Sequence, residues 1–249
     1  MNTATAKQFE TVEAQLSRPH GLPLSFRLFK TDIGFKIAHD ILAGTTYPHV
    51  HFVTGVKTIL DVGANLGAAS AYFAMLYPQA RVYALEPASA PFSLLKYNTA
   101  SFPNVASFPF GFFAHDKQAA LFHGKTDSVE SSVISTHRTD SDGEQIQLVS
   151  ATTFLAEQGL ENVDILKLDT EGCEVPILRS LKNYLGELKL LYVEYHSERD
   201  RRLIDELLAE THILWRGHSP LAYRGEFCYL NRRLIPGETY SSEILLPLD

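Results

Sequence analysis

Thr58-Ile-Leu-Asp-Val-Gly-Ala-Asn-Leu-Gly67 runs directly into Ala68-Ala-Ser-Ala-Tyr-Phe-Ala-Met-Leu76, and these two stretches decide the fold class. Ile59, Leu60 and Val62 form a short apolar run of the kind found in the middle of a parallel sheet, with Asp61 near its carboxyl end. Gly63 to Gly67 then supplies turn backbone that takes unusual dihedrals and lets a ligand approach without a Cβ in the way. The small-residue helix that follows directs its free N-terminal amides into the same crevice. A strand, turn and helix in this order form a cradle for a nucleotide-type cofactor.

The glycine spacing narrows the choice of cofactor. A dinucleotide turn calls for G-x-G-x-x-G, whereas this chain has Gly63-Ala64-Asn65-Leu66-Gly67 with Asp61 just before it. A carboxylate there repels a diphosphate but suits a ligand that carries an ammonium and a sulfonium. Glu86 ends the next apolar run, Arg81-Val-Tyr-Ala-Leu-Glu86, where an acid accepts both hydroxyls of a ribose. The pair points to S-adenosyl-L-methionine. The expected cofactor contacts are Asp61, Gly63, Ala64, Asn65, Gly67, Glu86, Pro87 and Asp169, with Phe113 and Ala114 beside the adenine after the third strand.

Further pieces stand downstream in a set order: Ala84-Leu-Glu-Pro87, Asp127-Ser-Val-Glu-Ser-Ser132, Leu166-Lys-Leu-Asp-Thr-Glu-Gly-Cys-Glu174 and Val193-Glu-Tyr-His196. With Leu60 to Gly67 they resemble the FkbM-type methyltransferases, within the class I S-adenosylmethionine-dependent fold, over roughly residues 58–233. The resemblance implies an α/β, Rossmann-like fold. Its mainly parallel seven-stranded sheet has the order 3-2-1-4-5-7-6, helices on both faces and an antiparallel last strand. It also implies methyl transfer to hydroxyls of sugars, polyketides and similar metabolites, without naming the acceptor.

The chain of 249 residues is long enough for one large α/β domain and too short for two with linkers. Residues 58–249 are expected to form the methyltransferase domain, and residues 1–57 an extension packed on it. Hydrophobic content of 45% and charged content of 20% are ordinary for a globular protein. A net charge of −7 without a dense Lys/Arg block argues against nucleic acid and anionic membrane as partners. Arg199, Arg201 and Arg202 read as a solvated helix face. Cys173 and Cys228 have no zinc-type spacing. No stretch reaches the ~18 apolar residues of a membrane span, and no signal pattern opens the chain. The expectation is a cytoplasmic protein.

Along the chain, Phe9, Val12 and Leu16 lie at helical spacing, predicting an amphipathic N-terminal helix that covers the body or joins two copies into a homo-oligomer. Ser25 to Lys30 alternates like a strand, and Phe35 to Leu42 fits either a strand or a helix. From Thr58 the β/α alternation predicts parallel strands at Thr58 to Val62, Val82 to Leu85, Val105 to Phe112, Val163 to Asp169 and Leu188 to Tyr195. Helices are predicted at Ala68 to Leu76, Pro91 to Asn98, Thr152 to Gln158, Val175 to Leu185 and Arg199 to Glu210. Pro109 makes the third strand an edge or a bulged one. Residues 114–150 break the alternation as a hairpin-like insertion, with 135–143 as a polar loop and candidate lid. His212 to Trp215 and Phe227 to Asn231 are the last two strands.

Within this order Asp169 falls beside the Gly63 turn, at the point where the direction of strand succession reverses. Lys167 and Asp169 share one strand face, as do Glu194 and His196 on the next strand. Buried charges need partners, and a Lys167 to Glu194 pair would supply them. The expected catalytic residues are Asp169, His196 and Lys167, with His196 as general base because imidazole titrates near neutral pH. Both His196 and the Lys167 pair also have purely structural readings.

No metal is expected. Asp169, Glu171 and Glu174 form an acidic set that could hold Mg²⁺, but acids at a helix start are favoured by its dipole alone. His49 and His51 share a strand face without a third ligand nearby. The reading is an S-adenosylmethionine-dependent O-methyltransferase for a small hydroxylated acceptor. Its rivals are a cofactor-binding regulatory protein without catalysis and a nucleotide-dependent oxidoreductase.

Overall fold

The computed structural model describes residues 10–16, 23–30, 32–123, 131–132, 143–221 and 223–235. Its N-terminal part holds β1 (Thr11–Leu16), β2 (Leu24–Phe29) and α1 (Asp32–Leu42). Next come β3 (Thr58–Val62), α2 (Ala68–Leu76), β4 (Arg81–Leu85), α3 (Ser89–Thr99) and β5 (Val105–Phe108). The insertion contains β6 (Gly111–Phe113), β7 (Lys117–His123), β8 (Ser131–Ser132) and β9 (Glu144–Ser150). The chain continues through α4 (Ala151–Glu157), β10 (Ile165–Leu168), α5 (Glu174–Ser180), β11 (Leu190–Tyr195), α6 (Glu198–Leu208), β12 (His212–Leu221) and β13 (Arg224–Asn231).

Seven strands form one sheet in the order β12-β13-β11-β10-β3-β4-β5. Read from the β5 edge this is the 3-2-1-4-5-7-6 order. The strands from β5 to β11 are mutually parallel, and β13 runs antiparallel to both its neighbours. The fold is the α/β, Rossmann-like arrangement of class I methyltransferases. Ile59, Leu60, Val62, Ile165, Leu166 and Leu168 are all buried, because helices cover both faces and leave these strands no solvent side. Each such side chain contributes about 1.5–3 kcal/mol on burial. Successive residues feed opposite layers. Ile59 packs with α2 and the N-terminal elements, while Leu60 and Val62 pack with α4, α5 and α6.

The N-terminal helix is not formed where the chain is described. Thr11–Leu16 is a strand, paired antiparallel with β2 from Thr11↔Phe29 to Leu16↔Leu24. Val12, Ala14 and Leu16 also satisfy a period of two, and the neighbouring β2 decides between the periods; Phe9 lies outside the described residues. The hairpin is tied to the body by Asn98 on α3. Its Oδ1 accepts from Arg27 N at 2.7 Å and its Nδ2 donates to Arg27 O at 2.9 Å. Residues 35–42, open between strand and helix by sequence, are helical, and the helix begins at Asp32.

The strand expected over Val105 to Phe112 is split. β5 stops before Pro109 at the edge of the main sheet, and β6 joins a second sheet of order β6-β9-β7-β8. Proline has no N–H for the ladder, so pairing ends there and the chain is free to change sheets. The predicted lid falls on residues outside the description except Gly143. The α5 helix is shorter than predicted, whereas β12 and β13 are longer and pair with each other as far as Leu221↔Arg224. Cys173 and Cys228 are buried free thiols.

Candidate functional site

The turn after β3 is held from several directions. Gly63, Asn65 and Gly67 have φ of 77°, 48° and 89°, in the left-handed region that glycine tolerates best. Gly63 N and Ala64 N both donate to Leu85 O, at 3.0 and 2.9 Å. A Cβ on Gly63 would stand 1.8 Å from Asp169 O, so the turn closes on the end of β10 with no room for a side chain. Lys167 Nζ donates to Gly63 O at 2.6 Å, and Asn98 Nδ2 to Leu66 O at 2.8 Å.

Lys167 does not pair with Glu194. Its register partner on β3 is Asp61, and its Nζ lies 3.3 Å from Asp61 Oδ1 and 3.8 Å from Asp169 Oδ2. On the other side its register partner is Tyr192, two positions before Glu194. Burial works against the Lys167 charge, but Asp61 and Asp169 outweigh it and raise its pKa. Asp61 is fully buried and accepts from the Ser70 hydroxyl at 2.5 Å. It therefore supports the turn from below through Lys167, and is not part of the cavity wall.

A cavity of about 740 Å³ opens along the carboxyl edge of the parallel strands. Gly63, Ala64, Asn65, Glu86, Pro87 and Asp169 line it, while Gly67 caps α2 beside it. Glu86 Oε2 accepts from Asn65 N and Oε1 from Ala88 N, both at 2.8 Å. Burial pushes the Glu86 carboxyl up to about 7, against the two amides and Lys167. Phe113 and Ala114 do not line the cavity, whereas Gly111 and Phe112 do. The switch of sheets after Pro109 moves the wall upstream, and Lys117 Nζ sits 3.3 Å from the Phe113 ring centre.

His196 is enclosed by carboxylates. Nε2 lies 3.2 Å from Glu171 Oε2 and 3.7 Å from Glu194 Oε1, and Nδ1 lies 3.3 Å from Glu174 Oε1. Glu174 is itself fully buried, accepting from Thr170 N at 2.8 Å and from Gly172 N at 3.1 Å. Burial disfavours the imidazolium, but Glu171 and Glu174 outweigh it and lift the pKa to about 11. A ring protonated at neutral pH has no lone pair with which to take another proton, and His196 is not on the cavity wall.

The side-chain donors of Asp169, Glu171 and His196 lie within 4.8 Å of one another, while Glu174 is taken up by the loop amides. His49 and His51 pack against Tyr77 and Phe52 and join no such group among the described residues. Arg199 to Arg202 sit on the solvated α6, where Arg201 and Arg202 pair with Glu198.

Residues singled out least by sequence complete the other half of the cavity. Arg224 Nε donates to Glu194, and Arg224 Nη2 stands 3.4 Å from Glu171 Oε1. Burial, then Asp169, push the Glu194 carboxyl up to about 8 against Arg224 and His196. Glu226, the register partner of Glu194, also lines the cavity. The signal that could have found Glu226 is the one that found Lys167, a charge inside an apolar strand.

Residues 61–214 match the methyltransferase FkbM domain. The chain belongs to the FkbM methyltransferase family. It is 29% identical over 143 residues to Methyltransferase 1 of Beauveria bassiana, covering 49% of this chain and 57% of that protein. It is 25% identical over 154 residues to the hexuronic acid methyltransferase AglP of Haloferax volcanii, covering 60% of each. The chain thus spans less than two thirds of either relative. Fibrillarin from Aeropyrum pernix, solved with bound S-adenosyl-L-methionine, superposes with a TM-score of 0.45 at 15% identity over 78% of this chain and 74% of that one.

S-adenosylmethionine is the cofactor that goes with this family, and the FkbM cradle fits it. Asn65 Oδ1 is buried without a hydrogen-bond donor, and Glu86 keeps unused lone pairs on a buried carboxylate. Among the described residues, no helix is long and apolar enough to cross a membrane.

Proposed function

We propose that this FkbM methyltransferase transfers a methyl group to a hydroxyl of a small metabolite, sugar or polyketide. The observation that carries the reading is the single cavity with two unlike halves. Asn65 and Glu86 lie where β3 and β4 end, and a wall of carboxylates lies where β10, β11 and β13 meet. Its volume suits a cofactor with a small acceptor. When bound, S-adenosylmethionine supplies an electrophilic methyl carbon on a sulfonium and is left as S-adenosylhomocysteine.

The chain's own residues then hold and align the partners. Glu86 accepts from the ribose hydroxyls, and Asn65 Oδ1 accepts from the polar end of the cofactor. Lys167 fixes the turn through Gly63 O, and Asp169 borders both halves. Carboxylates accept hydrogen bonds from hydroxyl groups, so the second half favours a hydroxylated acceptor. The same wall, on a chain of net charge −7, disfavours nucleic acid.

The test is transfer of labelled methyl from S-adenosylmethionine to methyl glucuronoside, methyl glucoside and a structured RNA, each with and without EDTA. Label is expected on a glycoside oxygen, undiminished by EDTA, because Glu174 is already held by the Thr170 and Gly172 amides and leaves an incomplete ligand set. Label on RNA alone would refute the small-molecule reading. Loss on chelation restored by Mn²⁺ would refute the metal-free one.

A further inference from the structure

Three carboxylates stand in a row across neighbouring strands at the mouth of the cavity. Leu168 is paired with Val193, so the next residues, Asp169 and Glu194, leave β10 and β11 side by side. Glu194 and Glu226 are direct partners on β11 and β13, and so project from the same face. All three line the cavity.

The middle member is held most firmly. Arg224 from β13 donates to it, and His196, two residues on, stands 3.7 Å away. Its other charged neighbours are Asp169 from the end of β10, Lys167 two residues before it, Glu226 across the strand pair and Glu171 from the loop after β10, which Arg224 and His196 both contact. The Glu194 side chain is 14% exposed, against 28% for Asp169, whose carboxylate lies 3.8 Å from the Lys167 ammonium.

Resting on the methyl-transfer reading above, we propose that Glu194 is the proton acceptor for the acceptor hydroxyl and that His196 is its positioning residue. The acceptor O–H bond breaks and its proton bonds to a carboxylate oxygen of Glu194. The oxygen lone pair forms the new O–CH₃ bond, and the C–S pair stays with sulfur. Burial and the adjacent Asp169 raise the proton affinity of Glu194 toward neutral pH, where a general base works best. His196, kept protonated by the negative charges of Glu171 and Glu174, serves by its charge and place.

One readout needs no acceptor. In the S-adenosylhomocysteine complex of protein carrying ¹³C-labelled glutamate, assigned with Glu194→Gln, the Glu194 carboxyl signal should titrate well above the ordinary carboxylate range. Titration near ~4.3, the unperturbed value, would overturn the proposal whatever the acceptor is. The second uses methyl glucoside. Glu194→Gln should lower turnover by roughly 10²- to 10⁴-fold, the scale of a positioned base, and remove the acid limb of the pH profile. Its affinity for S-adenosylhomocysteine should stay within about twofold. His196→Asn removes a positive neighbour, so the acid limb should move to higher pH rather than vanish. A Glu194→Gln enzyme with the wild-type rate and acid limb refutes the assignment, whereas a wild-type enzyme inert toward the glycoside bears only on the acceptor reading and leaves the NMR result to decide.

Discussion

Glu86 holds the glycine turn with the same carboxylate that we propose for the cofactor ribose. Both oxygens already accept backbone amides, yet burial lifts its carboxyl to about 7, because two neutral donors do not replace the water it has lost. Ribose hydroxyls donating to the ionised form would make up that difference, so binding favours proton release. Affinity for S-adenosylhomocysteine should therefore rise between pH 6 and pH 8, the window around that value. Glu86→Gln keeps one acceptor oxygen but not the charge. It should weaken binding roughly 10- to 150-fold, equivalent to about 1.5–3 kcal/mol for a charge-assisted bond, and flatten the pH dependence. Calorimetric titration of a folded Glu86→Gln protein checks this, and an unchanged affinity would remove Glu86 from the cofactor site.

Among the elements, the β1–β2 hairpin most clearly departs from expectation. Its sequence satisfies two periods, and the fold uses the one that lets Thr11–Leu16 pair along β2. Asn98 then joins three elements, serving both backbone groups of Arg27 on β2 and the carbonyl of Leu66 in the cofactor turn. The residue is buried, so Asn98→Ala would strand three backbone groups away from water. At about 1–3 kcal/mol for an unsatisfied buried group, with partial relaxation, the expected loss of stability is about 2–4 kcal/mol. Urea unfolding measures it, and a loss below ~0.5 kcal/mol would mean that the hairpin and the turn are not coupled through this side chain. A lone Asn in a helical segment gives no sign of that role, because all three of its partners come from elsewhere in the chain.

Across the whole molecule, the buried His212 and the half-buried His196 pull stability in opposite directions with pH. His212 Nε2 lies 3.0 Å from Leu188 O and Nδ1 2.8 Å from Thr211 Oγ1, and burial lowers its pKa to about 4. The unfolded chain binds that proton more readily, so its contribution is complete above about 6.5 and lost as pH falls toward about 4. For His196 the sign reverses, with the contribution complete below about 6.5 and lost as pH rises toward about 11. Thermal melts should therefore show His212→Asn flattening the acid side between pH 4.5 and pH 6.5, where up to about 3 kcal/mol is at stake; parallel acid limbs in the two proteins would exclude it. The sequence by itself determined the strand, turn and helix at the centre and the alternation of strands and helices around them, while the order of the sheet was implied by the family resemblance. Runs buried on both faces must read as apolar, and a left-handed turn against another strand must carry glycine, so both leave local marks. Only the tertiary structure decided which charge meets which. Lys167 turns to Asp61 instead of Glu194, His196 is caged by Glu171 and Glu174, and Glu194 comes to stand between Asp169 and Glu226. Those pairings follow from which strands lie side by side and in what register, and no local pattern carries that information.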